Sequence, residues 1–294
     1  MLATFGLACM VALPAVAGPP ATPVAQAPEL PWLQDAHAAA EHSGPGRWVR
    51  ELDRRRELLR RHRGADPAAV LALLALVPHL HAELEDGQLE RFVREVADDK
   101  RRHPLVRSFA AYQQASLREA SGDRKGARVL LDQQGYLSSW LIAGPFDNSS
   151  RRGEKTAYAP EVEPFSSEQV FVGKLAGEPL SWRSVDYESI PRSGYVSFDE
   201  LLHPNEHATG YATSWVRVNA DTPAALHLGT TGVHEVWVNG RSVGQGDAAR
   251  RISHPLQETH PIALEAGWNR ILIKVSAIDR LWGFHARVST PAGA

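Results

Sequence analysis

Seven side chains in the C-terminal half carry the chemistry this sequence offers most plainly. Val216, Val218, Leu226, Leu228, Val236, Val238, Ile271, Ile273, Phe284 and Ala286 recur at alternate positions of short apolar runs, the period of a half-buried strand. With those residues filling a core, Trp215, Arg217, His227, Trp237, Lys274, His285 and Arg287 face outward. Two indoles among cations and imidazoles suit a sugar, because pyranose C–H faces lie on aromatic rings while hydroxyls meet polar groups. The same tryptophans fit burial beneath a helical block or a further domain equally well in chemistry. An exposed Trp marks an interface of some kind, and packing between domains is the preferred reading.

Other candidates are weaker. Among thirteen histidines, His79 and His81 would sit on opposite sides of a helix and do not readily share an ion. His203-Pro-Asn-Glu-His207 offers two imidazoles and a carboxylate of zinc-binding type, but without the helical HExxH spacing. It reads as polar loop. In GPFDN, Gly144-Pro145 turns the chain, and Asp147 or Asn148 can cap that turn. The functional alternative is a structural calcium held by Asp147 and Asn148.

No GxSxG, P-loop or GxGxxG motif occurs, and Gly244-Gln-Gly246 reads as a loop. Asp147, Glu154, Glu161, Glu163 and Asp186 supply carboxylates for a glycosidase, which needs two at about 5–9.5 Å. Sequence alone does not pair them, so no catalytic residue is assigned. Cys9 is the only cysteine. If it leaves with a leader, the mature chain has no disulfide, Cys nucleophile or Cys-ligated zinc.

The elements that must position these residues change character near Tyr136. Before it the apolar period is helical: Gly46 to Gly64, then a stretch opened by Asp66-Pro67 and closing near Gly87, then Leu89–Lys100, Leu105–Ala120 and Asp123–Gln134. After it come short alternating runs: SSWLIAGPFDN, then 169–172, 180–185, 195–197, 211–218, 224–228, 233–238, 261–264, 270–275 and 282–288. Short strands with Gly/Pro/Asn turns predict an all-β sandwich. Asn239-Gly240 supplies the two positive-φ residues of a type I′ hairpin turn. Helices followed by strands give an α+β, multidomain class.

Residues 1–17, MLATFGLACMVALPAVA, are apolar and end in Ala15-Val16-Ala17, the pattern of a secretory signal peptide. The run is shorter than the roughly 20 residues of a membrane span and is interrupted by Pro14. Gly6-Leu7-Ala8 before Cys9 matches a lipobox poorly, which disfavours a lipoprotein. Residues 18–31 are a Pro/Ala-rich linker. The expected location is periplasmic or extracellular. A net charge of −2 gives no long-range field for nucleic acid or an anionic membrane. The basic run Arg54–Arg56, Arg60, Arg61 and Arg63 is interleaved with Glu51, Asp53 and Glu57, as on a solvated helix face.

Three resemblances follow from quoted stretches. HEVWVNG (234–240) with GWNRILIKV (267–275) resembles the galactose-binding-like jelly roll, an accessory module of exported enzymes. SFAAYQQASLREASGDRKGARVLLDQQG resembles a tetratricopeptide-type hairpin: Ala110, Ala111, Tyr112 and Ala115 would face Ala127, Leu130 and Leu131 across a Gly122-Asp123 turn. One unit cannot bury its own face, so the earlier helices must stack on it. A helical repeat running into W-x-x-x-GPFDN and then a WVNG sandwich is similar to the front of large bacterial exported proteins with a transglutaminase-like domain or further repeats. The likeness covers about Leu105 to Ser289. The sequence thus reads as a leader (1–17), a linker (18–31), a helical region (32–134) and a β-sandwich (137–289). The reading is a non-catalytic binding or scaffold protein. Its sandwich would take a glycan or cell-envelope polysaccharide and its helices a protein, with no cofactor beyond that calcium. The competing reading is an accessory part of a transglutaminase-like or carbohydrate-active enzyme.

Overall fold

A computed structural model describes residues 47–61, 67–75, 87–175, 178–186, 188, 194–246, 253–279 and 282–294. All belong to one unit spanning residues 44–294. The expected leader, the linker, Cys9, His79 and His81 lie outside the described residues.

Among the described residues five helices come first: α1 (Arg47–Arg61), α2 (Pro67–Ala75), α3 (Gln88–Asp98), α4 (Pro104–Ala120) and α5 (Arg124–Gln133). In α3 the buried residues are Leu89, Phe92, Val93 and Val96, one stripe at helical spacing. The α1 arginines are laced to acids: Arg55 to Glu51 at 2.6 Å, Arg56 to Asp53 at 3.0 Å, and both Arg60 and Arg61 to Glu57. Arg55 also donates to Leu73 O in α2 at 3.0 Å. Helices α4 and α5 form an antiparallel hairpin whose small residues Ala110, Ala115 and Ala127 are buried and let the backbones approach. Gly122 takes φ 89° at the turn, and Asp123 caps α5 by accepting from Gly126 N at 2.9 Å.

The strands are β1 (Trp140–Asp147), β2 (Val170–Val172), β3 (Pro179–Ser181), β4 (Arg183–Val185), β5 (Val196–Ser197), β6 (Ala208–Val218), β7 (Thr222–Thr230), β8 (Val233–Val238), β9 (Arg241–Gly246), β10 (Glu258–Leu264), β11 (Gly267–Ala277) and β12 (Gly283–Ser289). A six-stranded antiparallel sheet, ordered β4-β1-β6-β11-β8-β9, packs on a four-stranded one, β10-β7-β12-β5. From β6 onward the chain crosses repeatedly between sheets, as in a jelly roll. The fold is α+β with a β-sandwich. Trp140, Ile142, Phe198, Leu226, Val236, Ile271, Trp282 and Phe284 fill the space between the sheets.

Two runs differ from the alternation-based reading. Gly244-Gln-Gly246 is not a loop: it is the end of β9, paired so that His234 faces Gly246 and Val236 faces Gly244. The Asn239-Gly240 turn feeds this strand directly, with φ 51° and 78° at its two residues. The run 180–185 is two strands, because Leu180 pairs with β2 while Arg183–Val185 pair with β1.

Candidate functional site

The outward residues divide between the two sheets. His227, His285 and Arg287 point away from the core on the four-stranded sheet and are buried there. Helices cover His285 and Arg287. His285 Nε2 lies 3.1 Å from Tyr112 Oη of α4, and its Nδ1 lies 2.9 Å from Ser253 Oγ. Arg287 donates to the carbonyls of Gln134 and, at 2.9 Å, Gly293. Burial lowers the His285 pKa to about 3 and that of His227 to about 4. Both rings are neutral pieces of packing at ordinary pH. His227 is held by Thr259 and Ser289 hydroxyls at 2.9 and 2.8 Å.

Trp215, Arg217, Trp237 and Lys274 lie on the opposite, six-stranded sheet. This face carries its own cover, the β2–β3 hairpin and the segment around Tyr158 and Phe165, over Phe146, Phe171, Trp182, Tyr211 and Leu272. Trp215 is half-buried with its ring 4.8 Å from Phe165. Trp237 is half-buried at the margin of the same cluster. Arg217 is exposed beside Trp268, its partner across the ladder, which is 68% exposed. Lys274 is buried and ion-paired to Glu161 at 2.7 Å, and it donates to Thr156 O at 2.8 Å. Tyr211 donates to the same carboxylate. Its hydroxyl pKa is raised, first by burial and then by Glu161. The seven residues therefore do not form one surface.

Where the cover ends, the six-stranded sheet opens into a cleft of about 410 Å³. Its floor is Glu235, Gln245, Lys274 and Ser276, and Glu154 and Lys155 form a wall. Ser242 donates to Glu235 Oε1 at 2.9 Å, holding that carboxylate on the strand. Trp237 is the next outward residue along β8. Of these, Lys274 and Trp237 stand out from sequence as binding residues and Glu154 as a candidate carboxylate. The signal for Glu235 was available, since it shares their parity.

Three metal-ligand side chains meet at one end of the sandwich. The ligand atoms of His234, Glu258 and His260 all lie within 4.8 Å of one another. His234 follows the inward parity of Val236 and Val238 on β8. Glu258 and His260 follow that of Ile262 and Leu264 on β10. Polar residues at core parity on two strands were the available signal, and outward parity passed over them. Neither of the two earlier metal candidates among the described residues has this convergence. His203 and His207 are exposed. Asn148 is buried, with Nδ2 donating to Ala277 O at 3.0 Å and Oδ1 accepting from Glu154 N at 3.2 Å. Asp147 Oδ1 accepts from Ser149 N and Oγ at 3.2 and 2.6 Å, and the Ser149 hydroxyl holds its pKa below the usual range.

No protein-family profile matches the sequence, and no curated protein does. Among solved structures, a β-glucosidase from Kluyveromyces marxianus is similar over 51% of this chain and 16% of its own, at 15% identity and TM-score 0.32. A family 35 carbohydrate binding module from Clostridium thermocellum is similar over 33% of this chain and 77% of its own, at 18% identity and TM-score 0.24. A β-glucuronidase from Ruminococcus gnavus is similar over 53% of this chain and 29% of its own, at 11% identity and TM-score 0.33. Likeness at this level identifies neither a family nor a ligand. No described helix is long and apolar enough to cross a membrane.

Proposed function

We propose that this chain is an exported, non-catalytic module of the galactose-binding-like kind that binds a glycan in the cleft beside β8. The observation that carries the reading is the cleft itself. Glu154, Lys155, Glu235 and Gln245 line a space of about 410 Å³, with Trp237 adjoining on β8. A carboxylate and an amide on the strand floor, with a carboxylate and an ammonium on the wall, hydrogen-bond hydroxyls, and a neighbouring indole takes a sugar's C–H face. Lys274 serves as floor and fold, since its charge is already spent on Glu161. The α4–α5 hairpin, tetratricopeptide-like in its small-residue contacts, is the surface for a protein partner. Export rests on the apolar leader pattern of residues 1–17.

The test is titration of the full chain with a panel of envelope and plant polysaccharides, read by tryptophan fluorescence. Saturable quenching that Glu235→Ala and Trp237→Ala each weaken at least about tenfold, with the fold intact by circular dichroism, supports the reading. A folded chain with no response across the panel overturns it, as does binding indifferent to both substitutions.

A further inference from the structure

The His–Glu–His cluster lies on the core side of β8, with the buried His234 reaching the lining of the cleft, and the glycan reading does not use it. His234 Nε2 is 3.0 Å and His260 Nε2 is 3.5 Å from one atom, Glu258 Oε2. The protons around His234 follow from its other nitrogen. Thr230 Oγ1 donates to Gly232 O at 3.1 Å, so it accepts from His234 Nδ1 at 2.9 Å. Nδ1 also lies 3.4 Å from Gly232 O, which can only accept. With the proton assigned to Nδ1 on this geometry, Nε2 turns a lone pair toward the Glu258 oxygen. His260 Nε2 is buried and has no hydrogen-bond partner.

The rings are also seated by design of the backbone. A Cβ on Gly246 would lie 2.3 Å from His234 Cε1, and one on Gly244 would lie 2.3 Å from His260 Cε1. The Gly-Gln-Gly spacing of β9 therefore lets the edge strand close over both imidazoles.

We infer that His234 Nε2, Glu258 Oε2 and His260 Nε2 bind one divalent transition-metal ion, zinc by ligand type, which ties β8 of one sheet to β10 of the other. Zinc bonds of about 2.0–2.1 Å in a tetrahedron put neighbouring ligand atoms roughly 3.3 Å apart. The two separations to Glu258 bracket that value. A single dication satisfies two imidazole lone pairs and one carboxylate oxygen together, whereas one proton serves one pair. The hydrogen bond from His234 Nδ1 to Thr230 is the outer-shell contact that fixes a ligating imidazole. Three protein ligands leave the fourth position to water or another oxygen. Side-chain exposure of 20% at Glu258 and 14% at His260, against 2% at His234, puts the solvent side at β10.

The test uses the untagged full chain, stripped with a chelator and titrated with zinc alone by calorimetry, with cobalt substitution read by visible absorption. The expected result is about one zinc per chain, a raised Tm with metal and a tetrahedral cobalt spectrum. His260→Gln and Glu258→Gln, both near the solvent side, should each lower affinity about 100-fold or more while the circular dichroism spectrum is kept. His203→Gln should leave binding unchanged. A folded wild-type chain that takes up no zinc at about 100 µM, far above the range of a useful site, overturns the inference. Uptake that survives both His260→Gln and Glu258→Gln overturns it too, because the ion then sits elsewhere. Loss of zinc binding with glycan binding intact separates this inference from the proposed function.

Discussion

Asn239 donates its side-chain amide to Asn269 Oδ1 over 2.8 Å, joining the turn after β8 to the start of β11. Asn269 is fully buried and spends its remaining valences on backbone: Nδ2 to Glu265 O at 2.7 Å, and Oδ1 from Glu265 N at 2.8 Å. Asn239 Oδ1 in turn accepts from Arg270 N at 2.9 Å. The stretches VWVNG and GWNRIL thus meet through their asparagines. Asn269→Ala strips the Glu265 backbone N–H and C=O and the Asn239 amide of their side-chain partners and should cost about 1–3 kcal/mol in urea unfolding. Asn269→Asp should cost at least as much, since it turns an oxygen toward the Glu265 carbonyl. A loss below about 0.5 kcal/mol would show that water replaces the network.

The helix-to-sandwich contact should make stability depend on pH. His285 titrates near 3 in the folded chain because it is buried, with His254 adding to the effect, and near 6.5 when unfolded. Between those values the unfolded chain holds more protons. The contribution is therefore full above pH 6.5 and declines on acidification toward pH 3, by at most about 1.4 kcal/mol per unit. His227 shifts in the same direction. Urea midpoints measured from pH 8 to 4.5 should fall below pH 6.5, and less steeply in His285→Gln. Tyr112→Phe, which strips Nε2 of its 3.1 Å partner, should cost about 1–3 kcal/mol at pH 8.

Lys274 holds the cover on the six-stranded sheet. Its ammonium sits 5.9 and 5.8 Å from the Tyr158 and Tyr211 ring centroids and pairs with Glu161 from the covering segment. Lys274→Met leaves the largely buried Glu161 carboxylate without its cation, with the Tyr211 hydroxyl still donating to it, and should destabilise by about 3–5 kcal/mol. Lys274→Met with Glu161→Leu should recover most of that loss, because breaking a buried pair costs more than replacing it. A double variant as unstable as the single one would place the cost in lost packing, not in charge.

Much of the sandwich was legible because its signals are local. Val236 and Val238 alternate, Asn239-Gly240 demands positive φ, and the α4–α5 hairpin shows its alanines at helical spacing. Parity alone assigned an outward direction to Trp215, His227 and Lys274, and each faces away from the core. It does not say which sheet a strand joins. Hence His285 and Trp237, outward by the same rule, lie on opposite faces under different covers. The His234–Glu258–His260 cluster escaped for a related reason: its members are 24 and 26 positions apart and meet only through sheet-to-sheet packing. Gly244 and Gly246 suggest a turn by residue type, whereas in the fold they clear space for rings on the neighbouring strands.

Those glycines allow a last comparison. Gly240 takes φ 78°, yet a Cβ there meets nothing within 4 Å. Gly240→Ala should therefore cost about 1 kcal/mol, the backbone penalty alone. Gly246 has no positive φ, but its added Cβ would lie 2.3 Å from His234 Cε1. His234 is buried and its Nδ1 is held by Thr230 Oγ1 at 2.9 Å. Gly246→Ala should cost about 1–3 kcal/mol by overpacking, and it should weaken zinc uptake, which Gly240→Ala should not. Thermal melts with and without zinc separate the two. The zinc-dependent rise in Tm should persist in Gly240→Ala and shrink in Gly246→Ala. Equal shifts in both variants would mean that the edge strand β9 does not seat the His234 ring.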